Sequence, residues 1–560
     1  MKMAKKLIQY TALSLLLAAG SGCTKLDENI YDQMLTDNFY NNKNEVLSAV
    51  LRPYTHANAW TTPSGQPSWY RFSEMPADQI AWPTKGRHGE DGGKWKRLHY
   101  HTWPNDESDL NRAWQLMWWG LGLCTDPIEN LEKRDIASMG ITQEEKDAFI
   151  AELKLLRAYH YLRITDLWGA VPIVTKIGEP AQPPTASREE VFNFIEKEIL
   201  DNINKAPKHS ADMIGRMSQA GAYAMLVELY LNADAWIGKP KWDECIAAAN
   251  KLINGEAGGQ NGAMALDPNI FDAFKPENDK SKEAIFSIAY NFSGASFQPS
   301  WTGEFYHFNQ KDIYGGSRNG NDGMVLIPGV WTNYDDKDLR KRGWLLEGPQ
   351  FYFTDPTKPV VGGTGNEYDK KPLVFVDNIR RNSEAAQNGT DPNLLPSNMS
   401  TGEENSGVRF NKYKLGNQVA GPAGIPVANP NYNNTDWHIY RLTMIVFAKA
   451  EAIMRKNNGV ATQEAVDLIN SSRKRAFTDA DWPTFAYTTT TLTMDELLAE
   501  RGREFIFEGY RRQDLIRWNK FTTATWWDHQ PTEAFRKLYP IPQQQRALNP
   551  NLDQNDGYTK

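Results

Sequence analysis

The run LLAERGREFIFEGYRRQDLIRW (residues 497–518), followed by YPIPQQQRALNPNLDQNDGY (residues 539–558), decides the reading of this chain. The first stretch reads as one helix dense in Arg and Glu. The second is a Pro- and Asn-rich tail with no regular period. Glu504 and Glu508 stand one turn apart, which suits a carboxylate pair, but Arg501, Arg503, Arg511 and Arg512 lie at neighbouring three- and four-residue spacings. Guanidinium neighbours push carboxylate pKa values down, the wrong direction for a general acid. A structural ion network is therefore expected here.

Upstream, helical patterns dominate. Residues 143–168 carry apolar side chains around most of the circumference, the mark of a buried helix, and Gly169 is placed to end it. A second helix starts near Ser218 and continues through AGAYAMLVELYLNADAW, where Ala220, Gly221 and Ala222 allow close approach of a neighbour. Trp242 opens a third, DECIAAANKLI. This last has an echo: residues 440–455 read as a long helix, Asn457-Asn458-Gly459 as a turn, and TQEAVDLIN as its partner. Glu244, Ile246 and Asn250 align with Glu464, Val466 and Asn470. Helical hairpins of about 34 residues are the tetratricopeptide pattern. Residues 52–110 and 255–436 are instead rich in Gly, Pro, Asn, Asp and Trp, with short strands expected at AIFSIAY (284–290) and LVFVD (373–377). Loops of this length are usually functional. The expectation is a mainly α platform carrying long aromatic loops.

The N-terminus reads as a targeting segment. Lys2, Lys5 and Lys6 precede an apolar stretch, residues 7–19, too short to span a bilayer, which takes about 20 apolar residues. Gly20-Ser21-Gly22 before Cys23 resembles a lipobox, in which the thiol is acylated and the chain is cut just ahead of it. Asp27 and Glu28, next to Lys25, resemble the signal that sends such lipoproteins to the cell surface. Residues 1–22 are thus expected to be a signal peptide and Cys23 a lipid anchor. Removing them strips three lysines from a chain whose net charge is already −7, and no basic stripe remains to suit nucleic acid. Cys124 and Cys245 fall in expected helices and read as buried small hydrophobes.

No nucleophile elbow, HExxH, P-loop or dinucleotide glycine fingerprint occurs. His99 and His101 share a face if the segment is a strand, with His88 a conceivable third ligand. No acidic residue stands at ligand spacing, so neither a metal nor any other cofactor is expected. The tryptophans say more. Of 19, eight lie between Trp60 and Trp119. Sugars present apolar C–H faces and a hydroxyl rim, and so bind flat aromatic surfaces edged by polar groups. DQIAWPTKGRHGEDGGKWKRLHYHTW (78–103) offers that mixture in Trp82, Trp95, Arg87, Glu90 and Asp91. FQPSWTGEFYHF (297–308) offers it in Trp301 and Tyr306. Trp114, Trp118, Trp119, Trp168, Trp242 and Trp518, on helices, are expected in the core, as are Trp331 and Tyr334 ahead of a short helix holding Asp338 and Arg340.

Several blocks resemble those of the SusD/RagB family of surface glycan-binding lipoproteins, in the family's order. They are LRAYHYL…DLWGAVPIV (156–174), GRMSQAGAYAMLVELYL (215–231), YRLTMIVFAKAEAIMR (440–455), and the two C-terminal stretches. Trp168 replaces the usual Phe, and Ser218-Gln219 the usual Thr-Lys. The resemblance implies a SusD-like helical scaffold of tetratricopeptide-type repeats with a variable, loop-rich subdomain containing short strands. It divides the chain into a helical region with aromatic loops (23–255), a loop-rich ligand-binding region (256–436) and a C-terminal region (437–560). It also implies an outer-membrane location and a partner, a SusC-like TonB-dependent transporter, with the repeats facing the transporter and the loops facing glycan. No family motif carries the binding residues across. Trp82, Trp95, Trp301, Tyr306, Arg87 and Asp91 come from the sugar chemistry alone. Two alternatives stay open: a peptide-binding relative, and a helical glycoside hydrolase.

Overall fold

The computed structural model describes residues 39–65, 67–178, 180–290, 304–314, 320–352, 354–362, 369–390, 395–413 and 435–559. Residues 1–22, Cys23 and Trp301 lie outside them.

Ten helices carry the scaffold: α1 (Lys43–Thr61), α2 (Ser108–Lys133), α3 (Gln143–Trp168), α4 (Arg188–Asn202), α5 (Gln219–Leu231), α6 (Trp242–Ile253), α7 (Leu442–Lys456), α8 (Gln463–Arg473), α9 (Met494–Glu504) and α10 (Arg511–Arg517). Their starts are written locally. Thr142 with Glu145, and Ser187 with Glu190, form capping boxes at α3 and α4. Ser218, Thr462 and Thr493 cap α5, α8 and α9. From α1 to α8 each helix packs on the next. Because α6 packs directly on α7, residues 254–441 form one insertion between two neighbouring helices. The α5–α6 and α7–α8 hairpins are the two members of the sequence echo.

Helix α3 is the buried axis, with Arg157, Arg163 and Asp166 inside along with its apolar residues. Gly169 ends it at φ +73, where a Cβ would lie 2.7 Å from Leu538 Cδ1. Cys124 and Cys245 are buried free thiols. Trp114 and Trp168 are in the core, as are Trp331 and Tyr334. Trp118, Trp242 and Trp518 are half-buried. Trp119, expected inside, is 54% exposed. It follows Arg112 and Gln115 along the solvent side of α2.

Three expected helices are shorter than their patterns. The stretch after Ser218 breaks at Asn232. Residues 437–441 are strand, and α7 starts only at Leu442. The C-terminal run is two helices, separated by a turn with Phe507 at φ +67 and Gly509 at φ +95. Part of the first expected loop, up to Thr61, is α1. Short antiparallel pairs order the insertion and tie it to the earlier chain: β1 (Ile80–Ala81) with β3 (Val325–Leu326), β2 (Ala284–Ile288) with β6 (Trp437–Arg441), and β4 (Leu345–Leu346) with β5 (Arg409–Phe410). The β2–β6 ladder closes the insertion just before α7. The second expected strand shrinks to Val374–Phe375.

The Arg/Glu helix does form an ion network, but mostly with distant partners. Glu504 is bonded by Arg340 (3.0 Å) and Arg441 (2.9 Å), and Glu508 by Arg441 (2.8 Å) and Lys412 (2.6 Å). Arg501 reaches Asp514, Arg511 reaches Asp78 and Arg512 reaches Asp166. Burial alone would raise the Glu508 carboxyl, but Arg441 and Lys412 outweigh it and hold it below the usual range. The tail then straps the scaffold through its amides. Asn555 Nδ2 donates to the carbonyls of Trp168 and Tyr539, Asn549 Nδ2 to Pro183, and Asn551 Nδ2 to Gln182.

Candidate ligand-binding site

Residues 80–99 fold as strand β1, two turns and the short helix Lys94–His99. Lys85 and His88 exchange backbone hydrogen bonds at 2.9 Å each way, which puts Gly86 and Arg87 at the corners of a tight turn. Gly89 has φ +80, and a Cβ there would sit 2.5 Å from Pro83 O and 2.9 Å from the Trp82 ring. The glycines therefore serve turn geometry, and they leave Arg87, Glu90, Asp91 and Gly92 at the surface.

The aromatic residues expected to meet sugar are placed differently. Trp82 and Trp95 are 3% and 1% exposed and stack on one another, centroids 4.8 Å apart and planes 4° from parallel. The Arg71 guanidinium lies 4.9 and 5.0 Å from the two rings and pairs with Glu304 at 2.7 Å. Tyr306 is likewise buried, packed on Tyr314 at 4.9 Å, and burial pushes its phenol well above the ordinary value. These three are corrections. Large rings beside a buried cation gain more from mutual packing than from waiting at the surface. Asp91 accepts from Trp95 Nε1, so its exposed carboxylate also anchors the stacked pair. Arg87, 58% exposed in its side chain, sits 3.9 Å from Glu404 and over the half-buried Phe308 ring at 5.8 Å.

A rigid polar layer lies beneath. Lys85 is buried with Nζ donating to Gly323 O at 2.7 Å, and burial, partly offset by Asp322, draws its ammonium down to about 7. Asp322 pairs with Arg409 at 2.6 Å. At the surface, Lys96 and Thr84 bond Glu90 and hold its carboxyl below the usual range. The histidines diverge. His99 ends a helix and meets Asp528 at 2.7 Å, His101 meets Pro76 O at 2.7 Å, and His88 lies 3.6 Å from Glu404. The shared strand face considered for His99 and His101 does not form.

A second loop completes this face. Thr84 N donates to Met399 O (2.8 Å), Gly86 N to Gly402 O (3.2 Å), and Met399 N to Asp528 (3.0 Å). Residues 84–92, 396–402 and 526–529 are thereby held side by side. The half-buried Trp526 and Trp527 of the last segment escaped the sequence reading. Their signal, an adjacent pair in a polar context (TATWWDHQ), stood in the region assigned to the scaffold.

The family model described as the SusD family matches residues 248–558, over half of the chain. This protein belongs to the SusD family. Among SusD relatives, it is 25% identical to the starch-binding protein SusD of Bacteroides thetaiotaomicron over 451 residues, covering 75% of this chain and 74% of that one. It is 26% identical to the SusD-like protein P38 of Formosa agariphila over 428 residues, covering 73% and 74%. Two solved structures share the fold. One is a laminarin-binding SusD-like protein (TM-score 0.69, 18% identity, 93% of this chain and 100% of that one). The other is surface glycan-binding protein A of B. thetaiotaomicron in complex with laminarihexaose (TM-score 0.66, 19% identity, 92% and 99%). The mainly α SusD-like scaffold with short strand pairs is thus the fold of this chain.

Proposed function

We propose that this protein is a non-catalytic glycan-binding lipoprotein of the outer-membrane surface, anchored through acylated Cys23. It captures oligo- or polysaccharide and delivers it to a SusC-like TonB-dependent transporter. The observation that carries the reading is the rigid, solvent-facing turn bearing Arg87, Glu90 and Asp91, set on a buried aromatic and ionic layer. Polar groups already engaged by neighbours, as Glu90 and Asp91 are, lower the ordering cost of binding a hydroxyl rim. Arg87 and Asp91 are the proposed contacts, and Trp301 is a further candidate from its sequence context alone. The relatives named for starch and laminarin support the ligand class.

Binding fits the carboxylates of this face better than acid–base chemistry does. Glu90 is held down by Lys96, and Asp91 is engaged by Trp95. The test is a glycan array followed by calorimetry, with short peptides and a reducing-sugar assay in parallel. Saturable carbohydrate binding without release of reducing ends is the expected result. Peptide binding alone, or reducing ends appearing with time, would overturn it.

A further inference from the structure

Residues 526–529 make a tight turn, closed by His529 N donating to Trp526 O at 2.8 Å. Trp527 stands at its first corner with φ +44. That is the left-handed region, which glycine enters freely and a bulky residue only at a cost. Strained positions of this kind cluster at ligand sites. The ring is not withdrawn into the core. It remains half-buried, its Nε1 donates to Ser397 Oγ at 2.9 Å, and His99 stands roughly edge-on to it at 5.3 Å.

Its neighbours are fixed. Asp528 is held by His99 (2.7 Å), the Tyr100 hydroxyl (2.6 Å) and Met399 N (3.0 Å), while Trp526 stacks on His529 at 3.9 Å with planes 4° apart. The loop against which Trp527 leans is the one bonded to the Arg87 turn through Met399 and Gly402. A residue far away in the chain thus shares a face with Arg87.

We infer that Trp527 is a carbohydrate-stacking residue, receiving the C–H face of one pyranose ring of a glycan whose neighbouring units lie on the Arg87 turn. The inference rests on the glycan-binding reading above. A purely structural role accounts for less, since glycine would close the same turn without strain and the ring is not fully buried.

The test compares full-length Trp527→Gly, Trp527→Leu, Trp527→Tyr and Arg87→Ala with the unaltered chain. Each is titrated calorimetrically with the tightest-binding oligosaccharide from an array of neutral and acidic glycans. Trp527→Gly and Trp527→Leu are expected to bind about tenfold or more weakly. Trp527→Tyr keeps most of the affinity, and Trp527→Gly melts within a few degrees of the unaltered chain because glycine relieves the turn. Wild-type affinity in Trp527→Leu, with Arg87→Ala weakened, would overturn this inference and leave the functional reading standing. An unaltered chain that binds no glycan on the array would overturn both.

Discussion

Trp82 and Trp95 lie face to face, 4.8 Å apart and 4° from parallel, with Arg71 over both rings and Asp91 on the indole nitrogen of Trp95. Two side chains that look made for sugar are packed on each other instead, and what they support is the turn above them. Trp82→Ala is therefore expected to cost about 3–5 kcal/mol of folding stability, the range for deleting a large buried aromatic side chain. Denaturant unfolding measures this. A loss below about 1 kcal/mol would show that the stack contributes little.

The turn itself depends on Gly89. Its φ of +80 and the 2.5 Å approach of Pro83 O leave no room for a Cβ. Gly89→Ala should lose about 1–3 kcal/mol and should weaken glycan binding in the folded fraction, because the Arg87 corner must move. Unfolding and calorimetry on the same sample read both effects.

Arg340 is buried against Asp338, Glu500 and Glu504. Removing its charge takes the cation from Asp338 and one of the cations from Glu500 and from Glu504, so Arg340→Met should cost about 3–5 kcal/mol. Adding Glu504→Gln should recover part of that loss, since the two sites share one network. A strictly additive double variant would show that the pair does not interact.

Glu74 supplies a pH signature. Burial raises its carboxyl from 4.5 to about 8, against the Gly509 N–H and Arg511, which act in the opposite direction. The folded chain therefore holds a proton that the unfolded chain releases. Its stabilising contribution is full below the unfolded value of 4.5 and is lost as pH rises through about 8. Glu74→Gln mimics the protonated form, so its melting temperature relative to the unaltered chain should rise progressively from about pH 5 to pH 9. A constant difference across that range would contradict the assignment.

The scaffold was legible where local chemistry is decisive. The apolar circumference of residues 143–168 marks α3, Gly169 marks its end, and the AIFSIAY strand lies where expected. The C-terminal ion network was legible as composition but not as pairing. Glu504 and Glu508 answer to Arg340, Lys412 and Arg441, which only the closed fold brings to them. The same limit governed the site. Whether Trp82 is buried depends on Arg71 and Trp95, and whether the loop that Trp527 leans on reaches the Arg87 turn depends on the pairing of residues 84–86 with 399–402. Nothing in the local spacing announces either.

The surface turn centred on Arg87 and Asp91 is the proposed carbohydrate contact. The most direct measurement is calorimetric titration of the unaltered chain and an Arg87→Ala/Asp91→Asn variant with the tightest-binding oligosaccharide found on the array. Saturable binding by the unaltered chain and at least tenfold weaker binding by the variant, about 1.4 kcal/mol, are expected, with both chains melting alike. Equal affinities in the two chains would contradict it.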